Sequence, residues 1–571
     1  MRKPDIALLA GFAAAMLLAF PAVAQDAAPA TTDAPPPGVS GDGSAAPTAA
    51  PSLDSPALGP LGGRDTPYVG RMPEGGALSG FTTTAPGIGL PQIGTPLDPG
   101  NRPYAIRPSI GVGLLATNNV FQTRQDPSSD VVATISPSIE AAVATSRISG
   151  LLRYTPSLRL YAVNSSQDGI DQVGDGHLLA ALVPGLFYVD ARGSASVLPV
   201  APGQIPGSSQ FSAGSQNLQT FTGQVTPFIV HRFGSAATAQ LGYSFQYSLQ
   251  GSADFSNSNQ ENAASFIGHR GFAVLRSGED LGRLALQARV DGTRYVGDGI
   301  YSGAHNFVTA LEMRYAVLRS VALLGEIGYE DQAYSGTNPY SISDAIWSVG
   351  LRLTPSADSI VIVRYGHHNG FNSFRLNAGA RLGVRTDLSA AYRDTIGTSL
   401  TEAQDLLTTI TTDPLGNIVD SQSGAPVVLI NSFLGLSNTL YRLRMATATL
   451  RHFWPRDSLT LSATWQEQTP ITSAINTFPV SANNGFYATL NWAHEFSPRT
   501  AGMASAQYGS VNYGQPGPGQ ANIYALAATL THRLTDNVNG GVQVAWTNNT
   551  DSQPGQGYSQ FLIRVGLRRT F

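Results

Sequence analysis

A chain of 571 residues would ordinarily fold as several soluble domains, yet only 13% of these residues are charged and overall hydropathy is close to neutral. Large soluble domains carry roughly a quarter charged residues; strands that face lipid on one side and a lumen of Ser, Thr, Asn, Gln and Gly on the other account for both facts. The net charge of −4 argues against a nucleic-acid partner, and the absence of cysteine excludes disulfide staples and a lipoprotein anchor.

In chain order, the first predicted element is a secretory signal peptide. Arg2 and Lys3 form its charged region, Ile6 to Phe20 its apolar core, and Ala22-Val23-Ala24 a small-x-small cleavage site before Gln25. Residues 1–24 are therefore expected to be removed after Ala24. No later segment offers the run of about twenty apolar residues that a spanning helix needs. Lys3 is the only lysine, so the basic side chains beyond it are Arg and His. Residues 25–103 are rich in Pro, Gly, Ala and Thr, as in Ala34-Pro35-Pro36-Pro37-Gly38, and have no strand or helix period. Such a segment cannot bury a core and reads as a disordered periplasmic extension, either a spacer or a tether.

Residues 104–571 change to period-two alternation, the pattern of strands between unlike environments. Leu459, Leu461, Ala463 and Trp465 alternate with Ser458, Thr460, Ser462 and Thr464. Phe486, Ala488, Leu490 and Trp492, and then Phe374, Leu376, Ala378 and Ala380, repeat the pattern. Tight turns at Phe233-Gly234-Ser235, Ser277 to Asp280, Thr354-Pro355-Ser356 and Ser497-Pro498-Arg499 take turns with longer loops. Those loops are Thr123 to Asp130, Pro202 to Ser215, Thr337 to Ser343 and Gly514 to Gln520. Short periplasmic turns and long outer loops predict an all-β fold, a large antiparallel up-and-down transmembrane barrel of about 22 strands with both ends in the periplasm. The long interruption from Gly397 to Ser437 carries apolar runs and is expected to fold into the mouth and constrict it in part, with packing over the rim as the alternative. The final strand alternates Phe571, Arg569, Leu567, Val565, Ile563 and Phe561 with Thr570, Arg568, Gly566, Arg564 and Leu562. A closing strand ending in an aromatic makes Phe571 the expected signal for the barrel assembly machinery.

Several segments together resemble the outer-membrane β-barrel family associated with exosortase (PEP-CTERM) systems and exopolysaccharide loci. They are Thr117-Asn118-Asn119-Val120-Phe121, Ile135 to Ile139, Val349 to Pro355, Tyr365-Gly366-His367, and Val565 to Arg568 with the terminal Phe571. The likeness runs from about Ile106 to Phe571, with Asn118-Asn119 where relatives often have Asp-Asn and Arg569 where an aromatic is common. It implies a porin-like barrel linked to polysaccharide production or export, partnered by outer-membrane lipid and export machinery, with no cofactor and no catalytic residues.

The residues themselves offer little chemistry. The nine histidines are scattered; the adjacent pair His367-His368 would point to opposite faces of a strand, and reads as solvated loop rather than metal site. No nucleotide-binding loop, zinc-protease motif or nucleophile elbow is present. What remains is a set of arginines on expected lumen faces: Arg283, Arg289, Arg352, Arg364, Arg375, Arg381, Arg442, Arg444 and Arg564, with Arg153, Arg159 and Arg568 beside them. They either pair with carboxylates such as Asp291, Asp387 and Glu495 or bias the lumen toward anions. Tyr161, Tyr295 and Tyr487 read as interfacial girdle residues, with sugar stacking as the alternative. The expected function is a non-enzymatic porin-like channel or a component of exopolysaccharide export. The competing readings are a closed structural or docking barrel and an outer-membrane hydrolase, which would need an inward Ser-His-carboxylate cluster.

Overall fold

The computed structural model describes residues 103–199, 217–252, 265–356, 359–398, 410–412, 418–420, 439–473, 482–513, 519–552 and 557–571. The signal peptide and nearly all of the Pro-rich extension lie outside the described residues.

Alternation produces strands throughout. The first six are β1 (Tyr104–Thr117), β2 (Asp130–Ala144), β3 (Ile148–Tyr161), β4 (Gly169–Val183), β5 (Phe187–Pro199) and β6 (Asn217–Phe233). They continue as β7 (Ala237–Ser252), β8 (Ser265–Ser277), β9 (Leu284–Gly297), β10 (His305–Leu318), β11 (Val321–Tyr334) and β12 (Tyr340–Ser356). Next come β13 (Ser359–His368), β14 (Phe371–Leu382), β15 (Thr386–Thr398), and a small hairpin of β16 (Ile410–Thr412) and β17 (Ile418–Asp420). The last are β18 (Thr439–Phe453), β19 (Asp457–Ser473), β20 (Asn483–Ser497), β21 (Thr500–Tyr513), β22 (Gly519–Thr535), β23 (Val538–Asp551) and β24 (Tyr558–Thr570). Apart from the β16–β17 hairpin, they form one antiparallel sheet of 22 strands that closes where β1 pairs with β24. Closure leaves no edge with unpaired backbone groups, which is what lets strands cross a membrane.

The outer face is read directly from β24, where Phe561, Ile563, Val565 and Leu567 are each more than 40% exposed while Gln560, Leu562 and Arg564 between them are buried. Lipid takes the place of water against those outward side chains. Phe571 lies just past β24, donates its backbone N–H to the carbonyl of Pro108 at 2.9 Å, and carries the Arg569 guanidinium 5.1 Å from its ring centre. The sequence alternation therefore holds to the last residue.

Connections alternate as expected, with short turns on the rim that holds both barrel ends and longer ones opposite. By that asymmetry the first rim is periplasmic. Two details differ. Thr354, Pro355 and Ser356 continue β12 rather than turning, and the β8–β9 connection is lengthened by a 3-10 turn at Glu279–Leu281. On the outer rim, β13 and β14 are joined by only Asn369 and Gly370, both at positive φ of 53° and 74°. Asn-Gly is the usual pair for such a two-residue hairpin. This hairpin is consequently lower than its neighbours, and β14 stops pairing with β15 at Leu376 opposite Tyr392.

Candidate functional site: the inner wall and the outer mouth

The inner wall from β9 to β13 carries a charge network. Arg289 on β9 donates to Glu312 of β10 at 3.1 Å and to Glu326 of β11 at 3.0 Å. Arg364 on β13 reaches the same two carboxylates at 3.9 and 3.6 Å and donates to the Ser348 hydroxyl at 3.3 Å. Ser348 donates to Glu326 at 2.9 Å, and His368 Nε2 lies 3.2 Å from the same carboxylate oxygen. All are buried or nearly so. Two arginines against two carboxylates is a balanced set, so each charge is compensated where water is scarce. The same cluster bears on hydrolysis. Glu326 stands between Ser348 and His368 and takes the serine's proton donation itself, whereas a nucleophilic serine must donate to the histidine. Among the described residues no group of three or more His, Asp or Glu is placed to hold a metal.

The remaining arginines fall into four groups. Arg352, Arg375, Arg381 and Arg564 point inward by register, with Arg381 paired to Asp387 at 3.2 Å and Arg564 buried. Asp291 is held by Arg270, Arg159 by Asp171 at 2.9 Å, and Arg107 and Arg153 flank Glu140 at 3.5 and 3.7 Å. Arg283 is not on a wall at all; it is exposed in the periplasmic connection one residue before β9. Arg442 and Arg444 are a second correction. Both share a face with Leu450, which pairs with the exposed, lipid-facing Leu461, while Tyr441 and Leu443 between them are buried inward. Near the outer end of β18 they join Asp394 and Glu467: Arg442 binds Asp394 bidentately at 2.9 and 2.7 Å and Arg444 lies 3.2 Å from Glu467. Alternation alone would turn this face to lipid, but near the outer end Arg442 stacks 3.8 Å over the ring of Phe371, and its pair partner Ile396 packs in the cluster inside the mouth, so here the upper part of that face is covered by protein.

Aromatic and histidine placements also differ from expectation. Tyr161, Tyr295 and Tyr487 are buried on the inner face rather than in an outer girdle. His367 and His368 end β13 rather than sitting in a loop, and they do face opposite ways: His368 inward to Glu326, His367 to Asn372 and Asp344 at 2.8 and 3.0 Å.

Inside the outer end, Phe266, Tyr295, Ile300, Tyr301, Ala304, Tyr334, Ile396 and Leu440 pack as one cluster. It joins β8 and β9 to β15 and β18 across the low β13–β14 hairpin. The Tyr301 and Thr398 hydroxyls are 2.6 Å apart, and Thr337 donates its backbone N–H to Ser473 at 2.8 Å. The β16–β17 hairpin lies against β4, on the opposite side of the ring from β15 and β18 that flank it in sequence. Of the segment from Gly397 to Ser437, expected to narrow the mouth, only that hairpin and the last two residues of β15 are described; the rest lies outside the described residues. The connection through Tyr301, which the sequence did not flag, packs into the outer end of the barrel.

The first hairpin seals the seam. β1 pairs with β24 only from Ser109 to Thr117, and Asn118-Asn119 extends the contact beyond it. Asn118 donates its N–H to Phe561 O at 3.3 Å, and its Oδ1 accepts the Phe561 N–H at 2.7 Å. Asn119, 1% exposed, donates through Nδ2 to Ser559 O and Thr123 O, accepts from Thr123 N–H, and takes Gln560 Nε2 on its carbonyl. Val120 fills a pocket of Leu115, Val132, Tyr161 and Leu562. The Asn118 side chain acts on β24 as an acceptor, a role that Asp would also fill.

A closed barrel with an apolar exterior and a polar, charged interior defines this chain as a transmembrane β-barrel of the outer-membrane type. No family model matches the sequence, and no curated protein matches it. Among solved structures it is similar to the siderophore receptor PirA from Pseudomonas aeruginosa, at 12% identity and TM-score 0.40 over 84% of this chain and 81% of that one. It is similar to the siderophore receptor PiuA from Acinetobacter baumannii, at 10% identity and TM-score 0.44 over 81% and 82%. The outer membrane protein opdK from Pseudomonas aeruginosa gives 8% identity and TM-score 0.32 over 82% and 99%.

Proposed function

We propose that the barrel is a passive, porin-like path across the outer membrane for anionic solutes, working within envelope polysaccharide export. The observation that carries the charge preference is Arg375 on the inner wall of β14, with Arg381 on the same face of that strand and Arg352 facing inward on β12. Inward arginines stabilise anions in transit and repel cations. The polysaccharide link rests on the family resemblance of the first hairpin, the middle strands and the closing strand. Purified barrel in a planar bilayer under a salt gradient should show a reversal potential favouring anions. Replacing Arg375 and Arg381 with Gln should reduce it, most at low salt where screening is weakest. An unchanged reversal potential would remove these residues from selectivity.

A second reading has its own support. The cluster around Tyr301 packs at the outer end, and the β16–β17 hairpin reaches β4 across the ring from the strands that flank it, an arrangement that a closed docking barrel would use. No conductance from correctly folded protein would favour it.

A further inference from the structure

On the wall between β11 and β15, Arg375 is an arginine that no described residue compensates. Arg364 and Arg375 face each other across β13 and β14, and Arg393 follows on the inner side of β15, just past the last β14–β15 pair. Like charges directly opposite on a sheet repel. The fold relieves this at Arg364. A side chain at Gly350 would meet the Arg364 Cγ at 2.7 Å, so glycine there lets the arginine lie back over β12 to Ser348, Glu326 and Glu312. Arg375 has no such outlet. Among the described residues it forms no ion pair and no hydrogen bond, although it is only half-exposed. Ser373 and Asn377, two residues to either side, share its face and add neutral donors.

A half-buried guanidinium with its fork free, polar donors on both sides and another guanidinium opposite wants an oxyanion. We infer that Arg375, with Ser373 and Asn377, is an anion subsite on the inner wall that takes one carboxylate or sulfate group bidentately. This deepens the reading of the barrel as a path for anions and names where the anion pauses. The chemistry fits a sugar acid and a free inorganic oxyanion alike.

The test is saturation-transfer NMR on detergent-folded full-length protein, with glucuronate as the observed probe and sulfate as competitor. Wild type should bind glucuronate, and Arg375→Gln should weaken binding by about tenfold or more, as loss of a charged bidentate contact implies. Arg381→Gln, whose arginine is already paired to Asp387, should leave binding unchanged. Arg375→Lys keeps the charge but loses the planar fork and should fall between. It also serves if the Gln variant fails to show a heat-modifiable folded band. Displacement by sulfate supports a general oxyanion site, and resistance to sulfate supports a sugar-acid site. Equal glucuronate binding by wild type and Arg375→Gln overturns the assignment. Protein that binds but does not conduct keeps the subsite and loses the channel; protein that conducts anions but binds neither probe keeps the channel and loses the subsite.

Discussion

Asn119 is the most demanding single position at the barrel's closure. Replacing it with Ala removes three side-chain hydrogen bonds, to Ser559 O at 3.1 Å, to Thr123 O at 2.7 Å and from Thr123 N–H at 3.1 Å. At about 1 kcal/mol net per bond, and more where a buried partner is orphaned, the loss should be about 3 kcal/mol. Aspartate makes the contrast sharper. Asn119→Asp keeps the acceptor for Thr123 N–H but turns a carboxylate toward the Ser559 and Thr123 carbonyls, so it should destabilise at least as much as Ala. Asn118→Asp should be close to neutral, because Oδ1 only accepts there. The assay is urea unfolding of the four proteins in detergent micelles, with hydrogen exchange at the Phe561 amide as the local readout. Asn119→Ala within about 0.5 kcal/mol of wild type, the range of ordinary surface substitutions, would refute the latch. So would equal effects of Asp at 118 and 119.

Other consequences are simpler to check. Fractionation should find the chain in the outer membrane, beginning at Gln25 and migrating in a heat-modifiable way; recovery as soluble periplasmic protein would contradict the barrel reading. Ile563→Arg should cost about 2–4 kcal/mol if it meets the bilayer centre, while Arg564→Ser, on the inner face, should assemble far better; equal folded yields would show the facing to be wrong. Deleting Phe571 removes the N–H bonded to Pro108 and the closing aromatic, and should lower assembled barrel in the membrane; wild-type levels would exclude it as an assembly signal. Glu326→Gln leaves Arg289 and Arg364 undercompensated and should destabilise by about 3–5 kcal/mol in the same urea assay; a stability unchanged from wild type would mean the network is fully hydrated.

Local sequence carried the fold because a lipid-spanning strand writes its environment into every second residue. Phe561, Ile563, Val565 and Leu567 had to be apolar wherever β24 sat in the ring, and Phe486, Leu490 and Trp492 the same on β20. Strand number, alternating connection length and the facing of Arg364, Arg375 and Arg564 follow from that rule. The two-residue hairpin at Asn369-Gly370, which was not among the expected turns, lowers the wall at β13 and β14. Partnership was not legible. Arg289, Glu312, Glu326 and Arg364 come from four strands, and only the register between those strands brings them within reach. Arg442 shows the reverse limit, since a period of two assigns its face to lipid while the tertiary structure stacks it on Phe371 beside the cluster at the mouth. The seam is the extreme case: Asn119 and Ser559 are 440 residues apart, and only closure of the ring makes them neighbours.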